Sequence, residues 1–414
     1  MFFPGFEGLR AVAALLVLVV HTSFASGFTL RSGAGRYTAR GEVGVALFFL
    51  ISGFLLYRPF VSAALGGRTA PRLGPFMLRR ALRILPLYWV VLTVVYLVQG
   101  VSTINGVGGL AQTYLLVQVY SKDWVLRGIS QAWSLDIEVL FYLLLPLWAA
   151  VLRRRARTPG AQLRVELAAL GGAYVVSTVF RWYVLAHPSG ATDTWHGWLP
   201  SWADMFALGM AAAVVSAYQQ RVGRSFRWAA LPGADVLCWI AAAGVYVLFA
   251  RGIGLSTDPL FVGSVRTELA GHALYGLFAL LVLLPAAFGP QAKGPVRWLL
   301  TCRPVVFLGL ISYGLYLWHQ FIVVQLLDRT GWKLFDVAYW QFLPVALVLT
   351  VAFASLTYVL VERPGIAVGH RWLRRRRENL VLREHEPRET DAARTGPVTA
   401  GDDVPASKGS GALF

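Results

Sequence analysis

Cysteine and charge are both scarce in this chain. Cys238 and Cys302 are the only cysteines in 414 residues, which excludes a disulfide framework and any Cys-based metal-ligand spacing, so no metal site is expected. Charged residues make up 14% of the sequence and hydrophobic ones 57%, against about 25% and roughly 45–50% in soluble domains. An ordinary soluble globular protein is thereby excluded. Acidic residues are the rarer sign, 21 against 38 Lys and Arg, leaving a net charge of +17. That excess does not imply nucleic acid: the arginines fall between apolar runs, where positive charge sets topology, and no polar domain interleaves basic with aromatic residues. No repeat period is present either.

What the chain has is long apolar runs. Windows able to span a bilayer fall near 9–28, 43–65, 82–100, 133–152, 164–185, 198–218, 234–251, 266–288, 304–327 and 340–362. A weaker segment near 105–120 holds Asn105, Gln112 and Gln118 and begins among glycines. Arginine clusters occupy the loops 66–83, 153–164, 219–233 and 289–303 and the tail from Arg371. Only if 105–120 does not cross do all of these clusters fall on one side, as the positive-inside rule requires. The expectation is an all-α polytopic membrane helix bundle of about ten transmembrane helices, with a re-entrant or interfacial segment near 105–120. Both termini would be cytoplasmic, in a multi-pass protein of the cell membrane. Residues 1–370 would form the membrane domain and 371–414 a basic tail, disordered after about 379, where prolines and Gly/Ser enrichment set in.

Ionisable residues inside such spans are functional candidates by default. Arg10 and His21 are eleven positions apart in the first span, which puts them on one helix face about 16 Å apart. Glu138 lies one turn beyond Ser134 in the fourth span, and Ser312, Tyr316 and His319 follow one stripe of the ninth. Counted from the span ends, His21, Glu138 and His319 fall at comparable depth. A histidine and a carboxylate at one depth can form a general-base pair; equally, His21 can be a packing histidine, Glu138 a protonated carboxyl bonded to its neighbours and His319 an interfacial anchor. Arg80 and Arg83, one turn apart, present two guanidinium forks suited to phosphate oxygens, or serve only as topology anchors. Asp204 reads as a helix cap and Glu362 as a partner of Arg363, while Asp136 and Arg181 receive no role.

Six strings in order carry a resemblance: Gly8-Leu9-Arg10 followed by His21; Gly44-Val45-Ala46-Leu47-Phe48-Phe49-Leu50-Ile51-Ser52-Gly53-Phe54-Leu55; Arg80-x-x-Arg83-Ile84-x-Pro86-x-Tyr88-Trp89; Trp133-Ser134-Leu135-x-x-Glu138-x-x-Phe141-Tyr142; Ser312-Tyr313-x-x-Tyr316-Leu317-x-His319; and Glu362-Arg363-Pro364. From about residue 4 to 365 the chain resembles membrane acyltransferase family 3, the O-acetylases and O-acylases of cell-envelope glycans, lipids and secondary metabolites. Two positions depart from the family pattern: Glu7 stands where Asp is common, and Ala46 where Asp is frequent, so no carboxylate role carries over to position 46.

The resemblance implies that Arg10 and His21 are the core catalytic pair, that Arg80 and Arg83 contact the acyl donor, and that Glu138 supports catalysis or acceptor binding. Ser134, Tyr313, Tyr316 and His319 are the candidate substrate-binding residues. The expected co-substrate is acyl-CoA, acetyl-CoA first, with no bound cofactor; the expected partners are a hydroxyl-bearing glycan, lipid or metabolite and the bilayer, with no nucleic acid. An appended esterase-like domain, present in some members, is not expected in these 414 residues. A transporter or flippase using His21, Glu138 and Arg10 as a relay is the reading from a different class.

Overall fold

A computed structural model describes residues 3–100, 106–122, 127–153, 158–189, 192–251, 254–255, 263–289 and 294–385, with side chains as far as 375. The expected basic residues Arg154, Arg155, Arg157 and Lys293 lie outside the described residues, as does the tail from 386. The described secondary structure is helical throughout. In chain order the helices are α1 (Gly5–Ala25), α2 (Phe28–Arg31), α3 (Gly35–Thr38), α4 (Val43–Leu65), α5 (Leu73–Gln99), α6 (Gly106–Tyr114), α7 (Trp133–Arg153) and α8 (Pro159–Ala186). They continue with α9 (Ala203–Val222), α10 (Ala234–Arg251), α11 (Val265–Ala287), α12 (Pro295–Thr301), α13 (Arg303–Leu310), α14 (Ser312–Thr330), α15 (Tyr339–Thr357) and α16 (Arg363–His385). Two compact units result, Met1–Gly369 and His370–Phe414. In the second, α16 runs as helix to His385, past the position near 379 where disorder was expected.

Among the described residues eight helices are long and apolar enough to cross a membrane, or nine if a bent pair is one span. The protein is a polytopic membrane helix bundle. The sixth expected span, 198–218, falls outside this count; it corresponds to α9, whose Asp204, Gln219, Gln220 and Arg221 dilute its apolar character. α9 is nonetheless deeply buried, because it crosses α4 at a pair of glycines. A Cβ on Gly53 would lie 2.4 Å from the Phe206 carbonyl oxygen, and one on Gly209 2.1 Å from that of Leu50. Within lipid, apolar burial does not drive helices together, so close backbone approach at small residues has to supply the packing. Around this crossing Phe206 stacks on Phe49 at 4.6 Å and on Phe141 at 4.0 Å. The periphery is the reverse: Val175, Val176 and Val179 on α8, Leu237 and Ile240 on α10 and Val348 and Leu356 on α15 are exposed, as a hydrocarbon-facing surface requires.

α6 has nine residues, about 13 Å of helix against a ~30 Å hydrocarbon core. It folds back on α5: the Tyr88 hydroxyl donates to the Thr113 carbonyl, Trp89 Nε1 to the Tyr114 carbonyl and the Tyr96 hydroxyl to Thr113 Oγ1. An Arg153 guanidinium nitrogen donates to the Arg68 carbonyl at 2.5 Å, so the loops before α5 and after α7 share one face of the bundle. That contact fits two crossings between them, by α5 and α7, with α6 as the non-crossing segment.

Candidate active site

α1 is the spine of the site. Its Arg10 end opens on a cavity of about 170 Å³ whose lining includes Arg80, Arg83, Ser52, Glu138 and Tyr313. Three guanidiniums, one from α1 and two from α5, therefore meet in one small volume. Arg10 is held by Glu7 at 2.6 Å, and α1 reaches this position because α13 lies against it: a Cβ on Gly309 would stand 1.9 Å from the Glu7 carbonyl oxygen. Arg80 lies 6.0 Å over the Tyr142 ring, and its Nε is buried with no hydrogen-bond partner, as is Glu7 Oε2. Such orphaned buried groups cost roughly 1–3 kcal/mol each. Arg80 Nε is thereby an open donor at the cavity wall.

The ninth expected span is broken. α13 and α14 meet at an angle of 69° across Ile311, which has left the helical conformation at φ −92, ψ 5. Ser312 and Tyr313, the first residues of α14, line the same cavity, which turns a helix N-terminus toward the arginines and adds its positive dipole end. Tyr313 is fixed by donation to the Ile84 carbonyl at 2.8 Å.

At the other end of α1, His21 stands against His319 with ring centroids 4.8 Å apart. His319 Nδ1 is 2.7 Å from the Tyr316 carbonyl oxygen, and its Nε2 is 3.2 Å from His21 Nδ1. A carbonyl only accepts, so the His319 proton sits on Nδ1 and its Nε2 offers a lone pair. His21 Nδ1 then has two acceptors, that lone pair and the Val17 carbonyl at 2.8 Å. Its proton belongs on Nδ1, which leaves the lone pair on Nε2; among the described residues nothing bonds that nitrogen.

The expected pairing of His21 with Glu138 does not form. Glu138 Oε1 accepts from Ser52 Oγ at 2.5 Å, inside the arginine cavity. Depth counted from span ends failed because α7 starts low: Gln131, just before it, donates to the carbonyls of Tyr316 and Leu317 at 3.0 and 2.9 Å. Seven residues further along α7, Glu138 lies ~10 Å below that level. Ser134 and Tyr316 do meet, hydroxyl to hydroxyl at 2.7 Å, and Tyr316 also donates to the Gln131 carbonyl. Both line the cavity, as does Phe48, whose ring is 5.8 Å from that of Tyr316. His21 and His319 are not part of that lining, so the aromatic pair stands at the end of the cavity nearer to them.

Gln131, Ser52, Tyr142 and Glu7 are not among the candidate site residues read from the sequence; Ser52 and Tyr142 interrupt apolar runs as Glu138 does, whereas Glu7 and Gln131 lie just before theirs. Glu362 is buried while Arg363 is exposed; the charge that Glu362 faces is Arg83, not its chain neighbour. Asp204 does more than cap α9, since its Oδ2 is 2.7 Å from His272 Nε2. Arg181 lies 4.8 Å over the Trp202 ring and donates to the Ser201 carbonyl, and Asp136 accepts from the Val119 amide. Among the described residues no group of His, Cys, Asp and Glu is arranged to hold a metal ion.

The structure is thus a multi-pass membrane bundle with a cluster of cations at one end of α1 and a histidine pair at the other. The acyltransferase domain family matches residues 3–359, and the chain belongs to it, an enzyme family that transfers acyl groups. Nodulation protein 10 of Rhizobium leguminosarum bv. viciae is 28% identical over 347 residues, 78% of this chain and 82% of that protein. The peptidoglycan O-acetyltransferase OatA of Listeria monocytogenes is 23% identical over 383 residues, 87% of this chain but 55% of that protein. The acyltransferase MdmB of Streptomyces mycarofaciens is 31% identical over 166 residues, 36% of this chain and 40% of that protein. The chain thus spans little more than half the length of OatA. No solved structure matches it.

Proposed function

We propose that this enzyme moves an acyl group, acetyl first, from acyl-CoA to a hydroxyl of a cell-envelope glycan, lipid or secondary metabolite. It would do so in the cytoplasmic membrane with both termini inside. The observation that carries the reading is the cavity in which Arg10, Arg80 and Arg83 converge around a buried, unbonded Arg80 Nε. Guanidinium forks suit phosphate oxygens, and acyl-CoA is a phosphate-bearing acyl donor. The relatives named O-acetyltransferases support acetyl as the group and oxygen as its destination; the word peptidoglycan in one of those names favours a glycan acceptor.

In this scheme the donor's phosphates dock on the three arginines and its arm extends along α1, past Phe48 and Tyr316, toward His21. The acceptor hydroxyl attacks the thioester carbonyl carbon while His21 Nε2 takes the hydroxyl proton. Collapse of the tetrahedral adduct breaks the carbon–sulfur bond, and the protonated His21 returns its proton to the departing sulfur. Ester and free CoA are the products. His319 acts as a positioning residue, its Nε2 holding the His21 proton on Nδ1. Glu138, bonded to Ser52, belongs to the donor cavity and shapes its charge.

The test uses purified full-length protein and acetyl-CoA labelled in the acetyl group. Wild type should release free CoA and label a hydroxyl-bearing envelope fraction, and His21→Ala should do neither. Label transfer undiminished in His21→Ala would remove histidine from the chemistry.

A further inference from the structure

A second cavity, of about 670 Å³, lies beside the first and shares Leu55 with it. Its lining includes Phe3, Arg58, Ser62, Arg68, Thr69 and Gln220, and among the described residues no carboxylate. The two cavities follow one stripe of α4. Ser52 and Leu55 line the first; Leu55, Arg58 and Ser62 line the second. From Ser52 to Ser62 the stripe descends ~15 Å along the helix axis.

The second cavity is furnished for an anion. Arg58 is only 8% exposed, lies 4.8 Å over the Phe3 ring, and donates from Nε to Ser216 Oγ and from a terminal nitrogen to Gln220 Oε1. Ser62 Oγ is buried without a hydrogen-bond partner. Arg68 completes the set from the loop after α4. That loop is tied down by its backbone, because Arg221 Nε donates to the Leu65 carbonyl at 3.2 Å and Arg153 to the Arg68 carbonyl. The Arg68 side chain is left to the cavity.

We infer that this second cavity binds the nucleotide end of the acyl donor, with Arg58, Arg68 and Ser62 gripping the ribose 3′-phosphate while Arg10, Arg80 and Arg83 take the pyrophosphate. The inference rests on the acyl-CoA reading above. Two cationic cavities in line along α4 match a donor that carries two separated phosphate groups at one end and its thioester at the other. One cavity alone would leave one of those groups without a partner.

The experiment measures dissociation constants of CoA and of 3′-dephospho-CoA for the full chain, purified in detergent. Wild type should bind CoA roughly tenfold more tightly, the worth of about one charge-assisted hydrogen bond. Arg68→Gln, at an exposed position, should erase that preference by weakening CoA alone. Arg80→Gln should weaken both ligands alike and keep the preference. Equal binding of the two ligands by wild type, a preference that survives Arg68→Gln, or one lost in Arg80→Gln would each overturn the second cavity's assignment and leave acyl-CoA as donor intact. Wild type binding neither ligand would overturn the donor reading itself.

Discussion

At its Arg10 end α1 faces a cavity lined by Arg80, whose Nε is buried without a hydrogen-bond partner, as is Oε2 of Glu7, the partner of Arg10. At its His21 end three of the four imidazole nitrogens of the histidine pair are bonded, and the fourth is the one that chemistry needs. The first region carries buried groups that the described residues leave unbonded, at roughly 1–3 kcal/mol apiece. The second carries almost none and is set before any substrate arrives. Binding and catalysis thus ask opposite things of buried polar groups. A donor site keeps unmet capacity, whereas a base must have its tautomer fixed in advance.

The sharpest way to break that comparison is His21→Ala. Loss of a general base costs typically 10²–10⁴-fold, so kcat should fall by about that much while the dissociation constant for CoA stays at its wild-type value. A parallel collapse of donor binding would show that the two ends are one site. Arg80→Gln should do the converse, raising the KM for acyl-CoA about tenfold by removal of one charged hydrogen-bond donor, with kcat at saturation nearly unaffected. An unchanged KM would demote Arg80 to a topology anchor. A smaller effect is expected at His319. His319→Phe deletes one of two acceptors for the His21 Nδ1 proton and leaves the Val17 carbonyl, so kcat should drop about fivefold, the value of an ordinary hydrogen bond. His319→Gln, whose side-chain oxygen can accept that proton, should recover most of the loss. If Phe and Gln behave alike, His319 contributes packing alone.

Much of this was legible before any coordinates. Charge scarcity and apolar windows indicated a membrane bundle, and eleven positions at 100° each placed Arg10 and His21 on one face. The arginine clusters identified α6 as a segment that does not cross. What stayed hidden came from tertiary contacts with no local sign. Nothing at Ile311 announces a 69° break, which goes with the close packing of α13 on Glu7 at Gly309 and the Gln131 amide bonded to carbonyls of α14. That same amide sets the level of α7 and so lowers Glu138 into the arginine cavity, away from His21. Equal-depth counting treats every span as starting at one plane, and a helix anchored through a side chain to the middle of another does not. Ser52, quoted only as one residue of the Gly44 to Leu55 string, received no role because a serine bonded within its own helix is common there; only the fold shows that it reaches across to α7.

The least effect should come from the far end of the chain. Among the described residues, every one that lines the first cavity, the second cavity or the histidine pair lies between Phe3 and His319, and the chain from His370 onward forms a unit of its own. Truncation after Arg377 removes the last turns of α16 with everything beyond them, while sparing Arg371, Arg374, Arg375, Arg376 and Arg377, a basic cluster of the kind that sets topology. The truncated protein should therefore show wild-type KM for acyl-CoA and wild-type kcat per folded molecule. A monodisperse but inactive product would mean that one end of α1 is completed by the tail, and comparing CoA binding with turnover in that product would say which end.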